Sequence, residues 1–508
     1  MSQAVPQAAT QPDPKRWKAL AFIAVAQLMV VLDATIVNIA LPTAKDDLDI
    51  STANQQWVIT AYALAFGGLL LFGGRIADIW GRRRTFITGL IGFAGASALG
   101  GAATGQEMMF ASRALQGVFG ALLAPAALSL LAVLFTDGKE RAKAFGIYGA
   151  IAGGGGALGL ILGGALTEYL DWRWTFFVNI PFAVVAVLGA LAYIHDPAGS
   201  RNRSPLDIPG VLLSTLGLVA LVYGFTRAES SGWTDTYTVA MFVLSPVLLA
   251  AFVLWESKSK APLLPLRVLL ERNRGGVYLS LGLAVIAMFG LFLFLTFYMQ
   301  IIREYEALET GVAFLPMIVG MIAGSTQIGA RLMLRVPARL LMGPGFLLAA
   351  VAMLILTQLE TDSSYWGLMA PAMFLMGLGM GTAFMPAMSL ATYGVEPRDA
   401  GVASAMVNTS QQVGGAIGTA LLNTIAASAT TAWGSSHLKE APALGKQGYQ
   451  YAALVHGYTT AIWWAVGILV VSAAIAFVFI NAGKPQAPAP AAEGDGLVKE
   501  PAPPVVVH

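Results

Sequence analysis

The stretch that decides the fold is an arginine-rich segment between two apolar runs, Gly74-Arg75-Ile76-Ala77-Asp78-Ile79-Trp80-Gly81-Arg82-Arg83-Arg84. The runs on either side, residues 54–73 and 85–105, each have the roughly 20 mostly apolar residues that one helical bilayer crossing needs. Arginines clustered in a short loop between two such runs favour the cytoplasmic side of a membrane. The segment therefore predicts a membrane hairpin with a cytoplasmic turn.

The composition of the whole chain supports a membrane protein. Of its 508 residues, 56% are hydrophobic and 11% are charged, whereas a soluble domain has about 25% charged residues. The 56 glycines favour close helix packing in lipid. A net charge of +2 gives no argument for a nucleic-acid partner, and the lack of cysteine excludes disulfides and thiol chemistry.

Fourteen windows along the chain have the length and apolarity of a bilayer crossing, which predicts an all-α polytopic membrane protein. The predicted spans cover residues 18–41, 54–73, 85–105, 107–134, 143–166, 175–194, 207–226, 235–255, 276–301, 310–333, 339–358, 366–391, 400–428 and 457–481.

Basic residues are distributed unequally between the two sides of these spans. With the N-terminus inside, 23 of the 30 Lys and Arg fall in cytoplasmic segments or at the adjoining ends of the spans, 6 fall in external loops, and Arg113 lies well within a span. This bias predicts that both termini are cytoplasmic. The loops are too short for a soluble catalytic or nucleotide-binding domain, and residues 1–17 and 482–508 are expected to be disordered.

Two cytoplasmic stretches recur at a nearly constant offset. Arg75 and Arg331 are 256 residues apart, and Arg141 and Arg398 are 257 apart. This spacing predicts two six-helix bundles, residues 18–194 and 276–481, separated by a two-helix insert with cytoplasmic linkers, residues 195–275. Paired repeats around a site near the bilayer midplane are typical of transporters.

Asp33 and Arg113 are the candidate residues for proton coupling. A carboxylate at the centre of a lone helix costs about 2.5 to 3.5 kcal/mol, so Asp33 needs a partner, a proton or a water-filled cavity. An embedded acid and base whose pairing alternates would meet the requirement of proton coupling. A static salt bridge, or a misplaced boundary that leaves Asp33 near the surface, remains the alternative.

The charged cluster in the first hairpin is a candidate gate. Asp78 and Arg82 are four residues apart, and a carboxylate at the positive end of a helix beside guanidiniums forms a bond that could close one face of the bundle. The predicted cytoplasmic gate comprises Asp78, Arg82, Arg83 and Arg84. The alternative is that these arginines fix only the orientation of the protein.

Small and polar residues within the spans suggest further roles. Gly155, Gly159 and Gly163 recur every four residues in the fifth span, which predicts either a hinge or simple close packing. Aromatic and polar side chains of several spans could line a substrate pathway, although packing against lipid or between helices is their alternative role. The candidates are Asn38, Gln56, Tyr62, Gln116, Phe292, Tyr298, Asn408 and Gln411.

Five motifs resemble those of the major facilitator superfamily, and in particular its fourteen-span drug:proton antiporters. Residues 74–84 are similar to the signature G-x-L-x-D-x-x-G-R-K/R-x, with Ile76 in place of Leu, and residues 113–117 to R-x-x-Q-G. Residues 32–42 resemble the first-helix motif of these antiporters. Residues 172–181 resemble a further motif of the group. Residues 159–164 follow the antiporter pattern G-P-x-x-G-G, with Leu160 in place of Pro and Gly164 as its last residue.

This resemblance implies a proton-coupled antiporter that exports lipophilic or cationic small molecules by alternating access. The implied energy source is the proton gradient, with no cofactor, metal or obligate protein partner, and the implied location is the inner (plasma) membrane. The alternatives are a major facilitator that carries a lipid, a self-made metabolite or an imported solute, and a membrane scaffold or enzyme. An enzyme would need a cluster of His or carboxylates, which the spans do not supply.

Overall fold

The regular structure of the chain follows from its apolar sequence, because backbone groups within a bilayer must form their hydrogen bonds inside the protein. The computed structural model describes residues 14–51, 54–55, 57–195, 205–437 and 441–482. All regular structure in these ranges is helical, which confirms the predicted all-α class. The predicted disorder of both termini concerns residues that lie almost entirely outside the described ranges.

The long helical segments, numbered here in chain order, have the following bounds. They are α1 Arg16–Asp47, α2 Trp57–Trp80, α3 Arg82–Gly101, α4 Gln106–Leu134, α5 Gly138–Tyr169, α6 Trp174–Tyr193, α7 Ile208–Ser231, α8 Thr236–Glu256, α9 Arg272–Ile302, α10 Leu308–Leu332, α11 Arg339–Leu356, α12 Tyr365–Thr392, α13 Ala400–Ser436 and α14 Gly445–Phe479.

Within the described ranges, 12 of these helices are long and apolar enough to cross a membrane, and α5 would make 13. Helix α5 bends by 44° between Gly138–Gly156 and Leu158–Tyr169. Helix α3 is continuous over 20 residues, but its arginines and glycines lower its mean hydropathy. The structure therefore contains a helix for each predicted span, and 12 or 13 of them meet the criterion for a membrane crossing.

The helices of the two predicted halves pack in corresponding pairs. In the first half α2 and α3 pack against α4, α1 packs against α5 and α6, and α3 packs against α6. In the second half α10 and α11 pack against α12, α9 packs against α13 and α14, and α11 packs against α14. Each pair in one half thus has its counterpart eight helices later.

The halves meet along two seams, one between α2 and α13 and one between α5 and α10. At the first seam the backbones approach closely: a Cβ on Gly74 would lie 2.5 Å from the Gly401 carbonyl oxygen and 2.7 Å from the Ala405 side chain. Only glycine permits this approach. The two seams are equivalent under the pairing of the repeats.

The insert helices lie beside the first seam. Helix α7 packs against α2, α8 and α13, while α8 has α7 as its main neighbour and is largely exposed. The Trp233 indole nitrogen, between α7 and α8, donates to the Thr424 hydroxyl of α13 over 2.8 Å. The insert therefore contacts both halves from outside the seam.

Candidate coupling site and gate

The Asp33 carboxylate lies at the centre of a buried hydrogen-bond network. One oxygen accepts from an Arg113 guanidinium nitrogen over 2.8 Å, and the other accepts from Gln116 over 2.7 Å and from Asn179 over 2.8 Å. The exposed fraction of each of these four residues is at most 1%. An ionised carboxylate at this position is thus surrounded by donors, which is the condition for burying it.

Arg113 is held by contacts in addition to Asp33. Its Nε donates to the Val58 carbonyl over 2.9 Å, and its Nη1 also reaches the Gln116 amide oxygen over 2.8 Å. The Tyr62 ring lies 4.4 Å from the guanidinium carbon, in the geometry of a cation–π contact. Asp33 neutralises the charge of the guanidinium, and these additional contacts fix its position.

The network joins four helices of the first half. Asp33 comes from α1, Arg113 and Gln116 from α4, and Asn179 from α6, while the Ser97 hydroxyl of α3 accepts from Gln116 over 2.8 Å and from Asn179 over 3.3 Å. Protonation of Asp33 would remove its charge, break its acceptor pattern and leave Arg113 as an unneutralised buried cation. The network therefore connects side chains of all four helices.

Asp78 lies where α2 meets the N-terminus of α13. Its carboxylate accepts the backbone N–H groups of Gly401 over 2.8 Å and of Val402 over 3.2 Å, and Arg82 lies 3.2 Å away. The unpaired N–H groups at a helix N-terminus carry partial positive charge, which favours a carboxylate there. Asp78 therefore binds a helix end of the other half.

Arg82 extends the same connection. Its Nε donates to the Ser129 hydroxyl of α4 over 2.6 Å, and its Nη2 donates to the Pro397 carbonyl just before α13. Both Asp78 and Arg82 are almost fully buried. The structure thus brings these two predicted gate residues together at the seam, in a cluster that spans both halves.

The other two predicted gate residues lie elsewhere. Arg83 donates to the Leu191 carbonyl near the end of α6 over 2.9 Å, and Arg84 is exposed on α3. These positions attach α3 to α6 or face the surroundings of the protein. The seam contacts in this part of the molecule therefore involve Asp78 and Arg82 alone among the four.

A second cross-half contact involves Arg141 at the start of α5. Its guanidinium donates to the Ser389 hydroxyl over 3.0 Å, to the Ser389 carbonyl over 2.9 Å and to the Thr392 hydroxyl over 2.6 Å, all at the end of α12. Sequence analysis identified Arg141 only as part of the repeat. We call the side of the molecule that carries Asp78, Arg82 and Arg141 the arginine-rich face.

The glycines of α5 lie against α1. A Cβ on Gly155 would lie 2.8 Å from a Val31 methyl carbon, and one on Gly163 would lie 2.8 Å from the Ile36 side chain. Gly164 faces α10 instead, where a Cβ would lie 3.2 Å from the Leu308 Cα. Close packing thus occurs along the whole strip, and the bend of α5 falls next to Gly155.

Two of the predicted substrate-pathway residues belong to the hydrogen-bond network around Asp33, which we call the candidate coupling network. Tyr62 lies beneath the Arg113 guanidinium, and Gln116 bonds Asp33 directly. Gln56 lies outside the described residues, as does the side chain of Asn38. These two predictions therefore stay untested.

The remaining pathway candidates lie in the second half. Phe292 is half-buried, with its ring 5.0 Å from that of Phe314, and the buried Tyr298 donates its hydroxyl to the Glu360 carbonyl over 2.6 Å. Asn408 donates to the carbonyl of its own helix at Ser404. The buried Nε2 of Gln411 has no hydrogen-bond partner among the described residues.

Comparison with known proteins decides the family. The model of the Major Facilitator Superfamily matches residues 23–419. The chain belongs to the Major Facilitator Superfamily. The match includes the residues of the coupling network and the gate, so the resemblance inferred from the motifs is confirmed.

Several relatives of this major facilitator are named for antibiotic resistance or export. A puromycin resistance protein of Streptomyces alboniger is 52% identical over 472 residues, with 92% of each chain covered. A cephamycin export protein of Amycolatopsis lactamdurans is 38% identical, with 81% of this chain and 85% of the relative covered. The human organic anion transporter MFSD10 has the same fold, with a TM-score of 0.61 at 16% identity, over 91% of this chain and 99% of its own.

Sequence reasoning did not identify several residues of this major facilitator's site. Asn179 lies in residues 172–181, which resemble a family motif, and an amide within a predicted apolar span was the available signal. Ser97 and Ser129 are single hydroxyls in apolar helices without any distinguishing pattern. The backbone N–H groups of Gly401 and Val402 could not be found from side-chain chemistry, because they acquire their role through the position of a helix end.

Gly159→Ala should reduce stability and transport. The added methyl group would overlap the Thr35 hydroxyl and lie 3.1 Å from the Leu32 carbonyl oxygen, so α1 and α5 must separate. Overpacking of this kind costs about 1 to 3 kcal/mol. Gly95→Ala is the matched control, since a Cβ there has no atom within 4 Å. Thermal unfolding in detergent would show a lower midpoint for Gly159→Ala alone, and equal midpoints for both variants would contradict the close contact.

Proposed function

We propose that this major facilitator is a proton-coupled antiporter that exports lipophilic or cationic small molecules, including antibiotics, across the cytoplasmic membrane. The single observation that carries the proposal is the buried ion pair of Asp33 and Arg113. The charged groups lie 2.8 Å apart between helices α1 and α4. Intramembrane ionisable residues mark ion or substrate pathways. The names of the relatives support export of antibiotics as the direction and cargo.

The architecture that fits this function has fourteen spans, with α3 and the bent α5 both crossing the bilayer, in two bundles of six with α7 and α8 between them. In this arrangement the arginine-rich face is cytoplasmic, as the bias in Lys and Arg predicts, and both termini lie on that side. The close contacts of Asp78, Arg82 and Arg141 then hold the cytoplasmic face closed. Alternating access requires that these contacts break when the protein opens inward.

Helix α4 provides a physical connection between proton binding and the gate. It carries Arg113 and Gln116 in the coupling network and Ser129, which accepts a hydrogen bond from Arg82. Gln116 and Ser129 are 13 residues apart, a rise of about 20 Å along a helix. A shift of α4 caused by protonation of Asp33 would therefore act on the hydrogen bond that anchors Arg82.

The proton gradient is a sufficient source of energy for this cycle. One charge that crosses a potential of 100 mV contributes about 2.3 kcal/mol, and one pH unit contributes about 1.4 kcal/mol. No cofactor is needed in the proposed cycle. A cationic substrate would be attracted by the Asp33 carboxylate after Arg113 moves away, so proton and substrate would compete for the same group. In the second half, Gln411 supplies a donor for polar substrates.

Transport by purified protein in proteoliposomes tests the proposal. With an imposed pH gradient, we expect accumulation of cationic and lipophilic compounds, among them puromycin, together with movement of protons in the opposite direction. Neutral sugars serve as the negative control. Movement of substrate and protons in the same direction would establish symport instead, and transport that ignores the pH gradient would contradict proton coupling.

A further inference from the structure

A basic pocket lies on the arginine-rich face where α5 meets α10. A cavity of about 630 Å³ is lined by Lys139 of α5 and, around the end of α10, by Gln327, Arg331 and Arg335. A second cavity of about 340 Å³ shares Lys139, Gln327 and Arg331 and adds Lys143. The two cavities thus have four cationic side chains, and no acidic residue lines either of them.

The nearest carboxylates on α5 are already engaged. Asp137 accepts the backbone N–H groups of Lys139 and Glu140 at the start of the helix. Glu140 accepts from the Arg16 guanidinium over 2.7 and 2.5 Å. The positive charge of the pocket is therefore available to an anion from outside the chain.

An apolar ridge on α10 lies N-terminal to the residues that line the pocket. Leu315, Val319 and Ile322 have exposed fractions of 39%, 57% and 47%. Their spacing of three and four residues places them on one face of the helix, in the turns that precede the pocket residues Thr326 and Gln327. A molecule that has a phosphate group and long alkyl chains would fit both surfaces together.

The location of the pocket sets it apart from other exposed cations. Helices α5 and α10 belong to different halves, and the Ser325 hydroxyl of α10 donates to the Gly146 carbonyl of α5 next to the pocket. The insert helix α7 covers the other seam, between α2 and α13. In the described part of the chain, neither insert helix packs over the seam between α5 and α10.

We propose that this pocket binds the headgroup phosphate of an anionic phospholipid, whose acyl chains lie along the ridge of α10. Clusters of Lys and Arg at the cytoplasmic boundary of membrane helices attract anionic lipid headgroups. The bound lipid would contact both halves and stabilise the closed arginine-rich face. Free inorganic phosphate has the same headgroup chemistry but no alkyl chain to occupy the ridge.

Native mass spectrometry of the full-length protein in detergent tests this site with phosphatidylglycerol, phosphatidylcholine and inorganic phosphate as probes. Each cation near an anionic lipid surface contributes about fivefold to binding. We therefore expect Arg331→Gln with Arg335→Gln to weaken the tightest phosphatidylglycerol site about 30-fold, while phosphatidylcholine binds weakly to both proteins. Lys258→Gln with Lys260→Gln removes two exposed cations from the linker after α8 and should leave the site unchanged.

Three outcomes would overturn the proposal. The first is equal phosphatidylglycerol affinity in the wild type and in the Arg331 and Arg335 double variant. The second is equal affinity of the wild type for phosphatidylglycerol and phosphatidylcholine. The third is displacement of the lipid by millimolar inorganic phosphate. The last result would assign the pocket to a soluble anion. Unfolding midpoints without lipid check that the variants fold. If the double variant does not fold, Lys139→Gln alone replaces it, with an expected loss of about fivefold in phosphatidylglycerol affinity.

Discussion

Asp33→Asn should abolish transport driven by a pH gradient while the protein still binds substrate. The substitution keeps the shape of the side chain but removes the group that takes up the proton. It also leaves Arg113 as a buried cation without its partner, which costs about 3 to 5 kcal/mol. The measurements are uptake into vesicles and substrate-induced proton release from purified protein. Both should fall close to the level of protein-free controls, with the largest decrease for cationic substrates.

The double variant Asp33→Asn with Arg113→Gln separates coupling from a static salt bridge. Removing both charges eliminates the unpaired cation, so stability should recover relative to Asp33→Asn alone. Transport should nevertheless stay absent, because no group remains to carry the proton. Recovery of gradient-driven transport in the double variant would show that the pair serves only to hold α1 and α4 together.

Asp47→Asn is the matched control for this experiment. Asp47 lies on the same helix and forms an ion pair with Arg173 over 2.7 Å, but both side chains are partly exposed. Exposed pairs contribute about 0 to 1 kcal/mol, so stability and transport should change little. If Asp33→Asn behaves like this control, with normal proton release, coupling must reside in another group.

Hydropathy predicted the helices well because each crossing must satisfy its own backbone hydrogen bonds in lipid. It predicted their ends less well, since a helix may continue into water: α1 extends to Asp47, whereas the predicted span ends at residue 41. The bias in basic residues also places Lys139, Arg331 and Arg335 on one side. It does not reveal that these three line a common pocket.

The partners of the site residues were beyond reach of the sequence. Asp33 and Arg113 could be paired in advance because Asp33 is the only acidic residue, and Arg113 the only basic residue, well inside a predicted span. Asn179 is one of many amides, and its place in residues 172–181 did not mark it as a partner of Asp33. Arg83 shares the motif and charge of Arg82, yet one turns toward α6 and the other toward α13. Neighbouring positions on a helix point about 100° apart, and only the packing of the halves decides which one meets the seam.

Asp78→Asn should weaken closure of the arginine-rich face. The carboxylate bonds the first N–H groups of α13 and pairs with Arg82, and hydrogen bonds to a charged group contribute about 1.5 to 3 kcal/mol each. An amide of the same shape loses the charge and presents one acceptor oxygen. We therefore expect the ratio of the closed to the open form to fall by about 10- to 100-fold, with expression retained and transport reduced.

Thiol labelling measures this opening directly, because the natural chain has no cysteine. Val402→Cys places the only thiol at a buried position of the seam and keeps the backbone N–H that Asp78 accepts. A membrane-impermeant maleimide applied to the arginine-rich side should modify this thiol faster when Asp78→Asn is also present. The same reagent applied from the other side should show no such increase.

Asp235→Asn is the control that isolates the role of the seam. Asp235 also accepts a backbone N–H at a helix N-terminus, that of Thr238 in α8, and it bonds Arg227. The Thr238 amide and Arg227 hold the pKa of Asp235 below its ordinary value. Its helix lies outside both seams, so its loss should leave labelling and transport unchanged. Unchanged labelling and transport in Asp78→Asn as well would reduce the arginine cluster to a topology signal, because a carboxylate that closes the gate must affect access when it is removed.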